Sequence, residues 1–566
     1  MKKNIISVLS LAFFLAVTSC SFLETEPKDL TQDNYFNTEQ EVNSFLGSVY
    51  SPLMQEHFYG NAFPLYINGG DDLSFYQRSV PETSILCGNT NSNDSYVTRF
   101  WRTLYEGINR ANLLLENIEK APMSSTSREQ YRAEARFLRA FYYFNLVQGW
   151  GDVPFKTSST QSPDNLSIPR TDKNQIYDFV ISEMEAVIPN LKGANEYKFT
   201  GRVTPSAVQG ILARVYMFRA GEHFRDSKMD SGKSPEYFAK AKEWALKVKE
   251  SGLHGLANDY RQVFVDLCSD QYNSTGVRES IWEAEMAGNR GSVEQAAGRV
   301  GNTFGFGSTL DLSTDSEFKN ESGTANPGYS YMFLFASTKL YEMYEAEGDK
   351  VRGDWNIAPY VFTATTTSPK RIKGKKYYFG KKPADLPTDD GFVYEEGTKS
   401  DENNKTRCAA KFRRECETVT PKNKNFTPNN FPILRYADVL LMLAEAENEL
   451  NGPTALAKEC LNAVRNRAGL PDAEANDQES FRTAVKRERG MELCFEGIRR
   501  YDLIRWGDYL GEMNAMSSRV QWDDAWGKNY KYATDYYKIT PAYNYFPIPA
   551  AEMALNKDIL FNNPGW

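Results

Sequence analysis

Apolar residues along this chain recur mostly at helical spacing, and the clearest run is Tyr131 to Phe155. Arg132, Arg136 and Arg139 fall on one face, and Phe137, Ala140, Phe144 and Val147 on another. From Phe137 onward almost every side chain is apolar or aromatic, so the helix must be covered on more than one side. Gly149 is read as the stop, and Gly151-Asp152-Val153-Pro154 forbids resumption. The same periodicity predicts helices over residues 33–51, 101–119, 172–191, 204–220, 235–251, 336–347, 435–450, 453–468, 478–496 and 498–506. Thr204-Pro205 and Ser234-Pro235 each read as an N-cap followed by proline at the first helical position. Residues 55–98, 253–333 and 356–430 lose the period, apart from a short strand expected at Ser280–Ala284. Long irregular stretches in compact proteins often carry function.

The helices come in pairs: 130–148 with 172–191, 204–220 with 235–251, 435–450 with 453–468, and 478–496 with 498–506. The expectation is an all-α dominated fold. Its scaffold would be about four tetratricopeptide-like pairs, with long irregular segments and a few short strands laid over it.

Composition narrows the function more than the fold. A formal charge of −8 argues against nucleic acid as a partner. Three scattered histidines (His57, His223, His254) make a histidine-based metal or catalytic cluster improbable. Seven cysteines form no CxxC pair; Cys460 and Cys494 fall in helical patterns as buried thiols, while the spacing of Cys408 and Cys416 leaves their pairing open. Asp311-x-Ser313-x-Asp315 lacks the glycine and glutamate of a calcium loop, so no metal or cofactor is assigned. No GxSxG, HExxH, P-loop or dinucleotide fingerprint is present, and the protein is read as a non-enzyme. The 74 acidic residues leave the carboxylate pair of a glycosidase open as an alternative, and a protein-interaction scaffold is another.

The N-terminus reads as an address. Lys2 and Lys3 precede an apolar run, Ile5 to Val17, that is shorter than the roughly 20 residues a membrane-spanning helix needs. Val17-Thr18-Ser19-Cys20 resembles a bacterial lipobox, with Val17 where leucine is usual. Cys20 is therefore the expected lipidation site and 1–19 the signal peptide.

Several segments together resemble the SusD/RagB family of outer-membrane lipoproteins. They are the Cys20 lipobox, WRTLYEGINRANLLLEN (101–117), RAEARFLRAFYYFNLVQGWGDVPF (132–155) and RYADVLLMLAEAENEL (435–450). LNAVRNRAGL (461–470), RERGMELCFEGIRRYDLIRWGD (487–508) and YFPIPAAEMALNKDILFNNPGW (545–566) complete the set. The resemblance implies a tether over 20–30, an N-terminal region over 31–283, an irregular ligand-side excursion over 284–430 and a C-terminal helical region over 431–566. It further implies a lipid-anchored protein on the cell exterior that captures an oligosaccharide, or in the RagB branch a peptide. Such a protein acts as a lid on a SusC-type TonB-dependent β-barrel transporter.

Ligand contacts are expected in the irregular segments, where aromatic faces can meet sugar rings and polar groups their hydroxyls. One candidate set is Asp71, Asp72, Phe75, Tyr76 and Arg78, with Asn89, Asn91 and Asn93 nearby; the bland reading is a surface loop with turn caps. The other is Phe304, Phe306, Tyr329 and Tyr331, which read equally as loop anchors packed on the scaffold. Trp101 and Trp282 are assigned to the core, and the basic run Lys370 to Lys382 to a solvated loop. Replacing the thiol, Cys20→Ala, is expected to move the protein from the membrane fraction to the soluble fraction; membrane retention of the variant would count against lipidation.

Overall fold

Helix starts follow local capping chemistry. α1 (Glu39–Met54) opens on a Thr38/Glu41 capping box, α2 (Ser95–Asn117) on Asp94 and α3 (Ser125–Trp150) on Ser124. α4 (Lys173–Val187) is capped by Asp172, and α5 (Pro205–Ala220) by Thr204 with proline at its first position. α6 (Ser234–Glu250) differs from expectation. Ser234 is its first residue rather than its cap, and its hydroxyl donates to the Ala220 carbonyl, tying α6 to the end of α5. α7 (Tyr260–Ser269), α8 (Val300–Thr303), α9 (Thr338–Glu347) and α10 (Lys350–Asn356) follow. α11 (Tyr436–Asn451), α12 (Ala455–Arg467), α13 (Gln478–Leu493), α14 (Arg499–Trp506), α15 (Tyr509–Trp522) and α16 (Ala550–Leu555) complete the helices used below.

The computed structural model describes residues 35–566 apart from 69, 79–84, 86–87, 163–166, 273–275, 289–295, 311–326, 369–370, 379–392, 397–404, 523–532, 534–535 and 557–558. The signal peptide, Cys20 and its tether, and the Asp311/Ser313/Asp315 stretch lie outside the described residues.

Strands are short. β1 (Ser74–Tyr76) pairs antiparallel with β5 (Leu334–Ala336), and β2 (Val153–Pro154) with β3 (Arg170–Thr171). β4 (Ser280–Ala284), where a strand was expected, pairs with β9 (Phe431–Arg435). β6 (Tyr360–Ser368), β7 (Arg371–Tyr378) and β8 (Val393–Glu396) form a separate sheet. The basic run thus contributes a strand instead of a loop, although its side chains are outside the described set.

α3 is the covered helix that the apolar run predicts, with every residue from Phe137 to Trp150 buried. α2 and α4 pack on it, α5 packs on α6, α6 on α11, and α12 and α13 both pack on α11. Three of the expected pairs form as such. In the fourth, α13 and α14 touch, but α13 packs mainly on α11 and α14 on α5. Gly149 is not the stop: it lies inside α3, where a Cβ would sit 2.9 Å from the Phe546 ring. The stop is Gly151, at φ +72°. Gly107 brings α2 onto α3, since a Cβ there would be 2.4 Å from the buried Tyr142 ring. α7 lies in a stretch read as irregular, yet Tyr260, Val263, Phe264, Leu267 and Cys268 carry a helical stripe over its ten residues.

The charged motif 487–508 is largely interior. Glu492, fully buried, accepts from Arg435 (3.0 Å), Arg467 (2.6 Å) and Arg352 (3.1 Å). Arg352 also reaches Asp349 and Glu488, Arg435 reaches Glu279 and Glu496, and Lys411 reaches Glu496 (2.8 Å). A second node joins Arg489 to Asp438 and Asp502 (2.8 Å each), Arg214 to Asp438, and Arg505 to Glu445 and Asp502. Interior charges persist only when paired and hydrogen-bonded. Burial opposes ionisation of Glu492, but the surrounding guanidinium groups outweigh it and hold the carboxyl below its usual range. Glu492→Gln leaves those cations short of one negative charge and is expected to cost about 3–5 kcal/mol, read as a lowered denaturant midpoint; an unchanged midpoint would show the network to be dispensable.

Candidate functional site

The two irregular excursions meet through the β1–β5 ribbon. Strand alternation sends Phe75 inward against Phe335 and leaves Tyr76 half-buried at the surface. Segment 331–333 is pinned to the end of α8: the Tyr331 N–H donates to the Asn302 carbonyl (2.6 Å) and the Phe333 N–H to the Thr303 carbonyl (2.7 Å). Thr303 in turn donates to the Asn61 side chain (2.7 Å).

At this junction six aromatic rings run in one row: Tyr96, Tyr66, Tyr76, Phe333, Tyr331 and Tyr329. Neighbouring ring centroids are 3.9 to 5.8 Å apart. Tyr96 and Tyr66 stack at 17°, and Tyr331 and Phe333 at 15°. Tyr66, in the π-helical turn Phe63–Ile67, is buried and links Tyr96 to the other four, and these five rings are half-buried. The Tyr66 hydroxyl hydrogen-bonds with those of Tyr76 and Tyr96, and burial followed by these phenols pushes its pKa far above 10. Met332 has φ +54°, a left-handed backbone that β-carbon sterics disfavour, between the two stacked rings.

Cations sit on the row. The exposed Arg78 places its guanidinium 5.7 Å from the Phe333 ring centroid and donates to the Tyr331 carbonyl (3.0 Å). Lys424 Nζ lies 4.7 Å from the Tyr329 centroid. Buried Arg414 aligns that end of the row: it donates to the carbonyls of Tyr329 (2.7 Å), Lys424 (3.3 Å) and Asn423 (2.6 Å) and pairs with Glu417. Gly328, at φ +72°, lets the chain pass Arg414, since a Cβ there would be 2.9 Å from that side chain.

The expected residues therefore divide. Tyr76, Arg78, Tyr329 and Tyr331 come together from both candidate sets. Asp71, Asp72, Phe75, Phe304 and Phe306 do not reach the surface as ligand contacts, and each has a structural duty. Asp72 is 0% exposed and takes a two-pronged bond from Arg499 (2.8 and 2.9 Å) and another from Lys339 (2.6 Å), fastening the excursion to α14 and α9. Burial works against its charge, but Arg499 and then Lys339 hold its carboxyl well below the usual range. Asp71 caps the turn into β1, accepting from the Leu73 and Ser74 N–H groups at 2.8 Å. Phe304 packs edge-on against Phe412, and Phe306 against Tyr360 and Phe362. Asn91 folds the turn ahead of α2, and Asn89 and Asn93 are exposed beside it. Trp101 and Trp282 are core, as expected, with the Trp282 indole donating to the Gly201 carbonyl. Cys408 and Cys416 are both free thiols.

Tyr66, Tyr96 and Phe333 were missed. Phe333 had a signal, because Tyr329, Tyr331 and Phe333 place rings at every second position, the spacing that puts side chains on one face. Tyr96 is in the first turn of a helix whose start was placed six residues too late. A groove of about 1030 Å³ lies elsewhere between Gly151, Arg170, Lys173, Tyr545 and Phe561. Four of the charges in or under it pair with one another: Lys173 with Glu222 and Asp226, and Arg225 with Glu222.

A family model described as SusD family matches residues 278–566, just over half of the chain. The chain belongs to the SusD family. A second model, described as "Starch-binding associating with outer membrane", matches residues 21–217. SusD-like protein P25 of Formosa agariphila is 26% identical over 99% of this chain and 98% of its own length. A solved SusD homolog from Bacteroides thetaiotaomicron superposes with a TM-score of 0.78 at 27% identity, covering 96% of this chain and 99% of that one. A solved laminarin binding SusD-like protein shares the fold, with a TM-score of 0.66 at 21% identity over 94% of this chain and 100% of its own. The helix-dominated, tetratricopeptide-like scaffold is thus the SusD fold.

Asp71 gives this region a pH signature. Burial, and then the Asp72 charge, push its carboxyl up to about 7 from an ordinary 3.8. Between those values the unfolded chain releases the proton while the folded chain keeps it, so this group's contribution to stability falls as pH rises through that window. Asp71→Asn, which keeps the accepting oxygen, is expected to match the parent near pH 4. By pH 8 it should be more stable by on the order of 1–3 kcal/mol, allowing for relaxation around the carboxylate. Melting curves at the two pH values check this, and equal differences at both would refute it.

Proposed function

We propose that this SusD-family protein is a non-enzymatic, glycan-binding protein of the outer membrane, and that the aromatic row is where it holds an oligosaccharide. The single observation that carries the reading is the row itself. Four half-buried rings, Tyr76, Phe333, Tyr331 and Tyr329, stand side by side with phenol hydroxyls among them, and a fifth, Tyr96, continues the line through the buried Tyr66, a surface suited to successive sugar units and their hydroxyls. The family's starch-binding description and the laminarin-binding name of one structural relative support the same class of ligand. The finer reading is that Cys20 carries the lipid anchor, the protein faces the cell exterior, and it closes as a lid over a SusC-type TonB-dependent barrel.

The row serves this reading because it is already built. Its backbone is tied to α8, to the β1–β5 ribbon and to Arg414, so little ordering entropy remains to oppose binding. The peptide-capturing alternative of the RagB branch uses the same rings, and a binding panel separates the two.

Titration against neutral and acidic oligosaccharides and a peptide pool is expected to give saturable glycan binding without release of reducing ends. Tyr331→Ala and Phe333→Ala should each weaken it about tenfold or more, with melting temperature little changed. Peptide binding alone, unchanged affinity in both variants, or reducing-end release by the pure protein would overturn the reading. Copurification with a barrel transporter under mild detergent checks the lid.

A further inference from the structure

Resting on the aromatic row as the glycan site, we infer that the sugar it selects is acidic, bearing a carboxylate or sulfate group, and that Arg78 reads that charge. Ring faces alone do not discriminate charge; the polar groups held against them do. At the Tyr329–Tyr331–Phe333 end these groups are donors. Arg78 is held over Phe333 by its bond to the Tyr331 carbonyl, which uses one of its five N–H groups and leaves the rest of the guanidinium for an oxyanion. Lys424 stands over Tyr329, its main chain fixed by Asn302 (2.6 Å) and Arg414 (3.3 Å). One cation therefore sits at each end of a three-ring run whose centroids are 4.9 and 5.1 Å apart.

Among the described residues, the carboxylates of the elements that carry this edge are engaged elsewhere. Asp72 is buried under Arg499 and Lys339, and Asp71 caps its own turn. Glu56 pairs with Arg299 at 2.8 Å, and Glu417 with Arg414. Among the described residues Arg78 makes no ion pair. A neutral sugar presents hydroxyls that donate as well as accept, and it is best held by mixed partners. A donor-rich edge instead matches an oxyanion, whose charge-assisted bonds are stronger than neutral ones. The chain as a whole carries −8, so the attraction is local to this edge and not a property of the overall charge.

The test is calorimetric titration of the intact chain with three oligosaccharides of equal length. One is a uronic-acid oligomer, one a sulfated oligomer, and one a neutral glucan. The expected result is that one or both acidic oligomers bind at least about tenfold tighter than the glucan, with affinity falling as salt rises. Arg78→Gln should weaken acidic binding about tenfold more than it weakens glucan binding, and Arg78→Lys should recover part of that difference. Arg78 is exposed, and unchanged melting of both variants confirms that the effect is on binding. The two acidic arms show whether carboxylate or sulfate is the preferred anion. Glucan binding equal to or tighter than both acidic oligomers, or equal loss for all three with Arg78→Gln, overturns the inference while leaving the glycan site in place. No binding in any arm overturns both.

Discussion

The structure depends on charge that has been taken out of water and has to be paired. Glu492 lies at the centre, with Arg352, Arg435 and Arg467 on its carboxylate, and Glu279, Asp349, Glu488 and Glu496 balance these cations and Lys411. The partners come from α10, α12, α13, β9, the residue preceding β4 and the stretch around Lys411. No one of these elements can move without leaving a charge unpaired in the interior, where the cost is several kcal/mol. Apolar burial on α3 supplies adhesion, but it is non-directional. The ionic lattice is directional and fixes which segment lies against which.

The same device extends to the irregular segments. Asp72 bonds to Arg499 on α14 and Lys339 on α9, so the 55–98 excursion is bolted to the scaffold at its turn into β1. Arg414, paired with Glu417, holds the carbonyls on either side of the second excursion's return. Segments with little regular structure thus hold a row of rings at fixed spacing. In effect, the scaffold's buried charges position the surface's aromatic groups. Met332, held with a positive φ between two stacked rings, is a local sign that the surroundings over-determine this stretch.

What could be read in advance followed from periodicity. α3, α5, α6, α11, α12 and α13 were all visible as stripes, caps and stops, because helical burial repeats every three to four residues. α7 carries a stripe as well, but only over ten residues, too short a run to stand out from the irregular stretch around it. Gly149 and Gly151 show a finer limit. Either can end a helix; what decides is that Phe546 needs the space at Gly149, and residue 546 is nearly four hundred positions away. The motif 487–508 is recognisable by its residues, but local sequence does not say what its many charges face. Only the folded chain shows them facing one another.

The candidate site follows the same division. The sequence by itself determined the kind of scaffold, the segments outside it and the presence there of aromatic and charged residues, since these are local properties of the chain. It could not sort Phe75 from Tyr76, because which face of a short strand turns inward depends on what covers it, nor Asp72 from Arg78, because their partners Arg499 and Tyr331 are distant in the chain. Tertiary structure decided that. It turned Asp72 and Phe75 into supports, left Tyr76 and Arg78 at the surface, and brought Tyr66, Tyr96 and Phe333 into one row with them. The physical reason is that a row of rings at five-ångström spacing is a property of distances between segments more than two hundred residues apart, which no local pattern encodes.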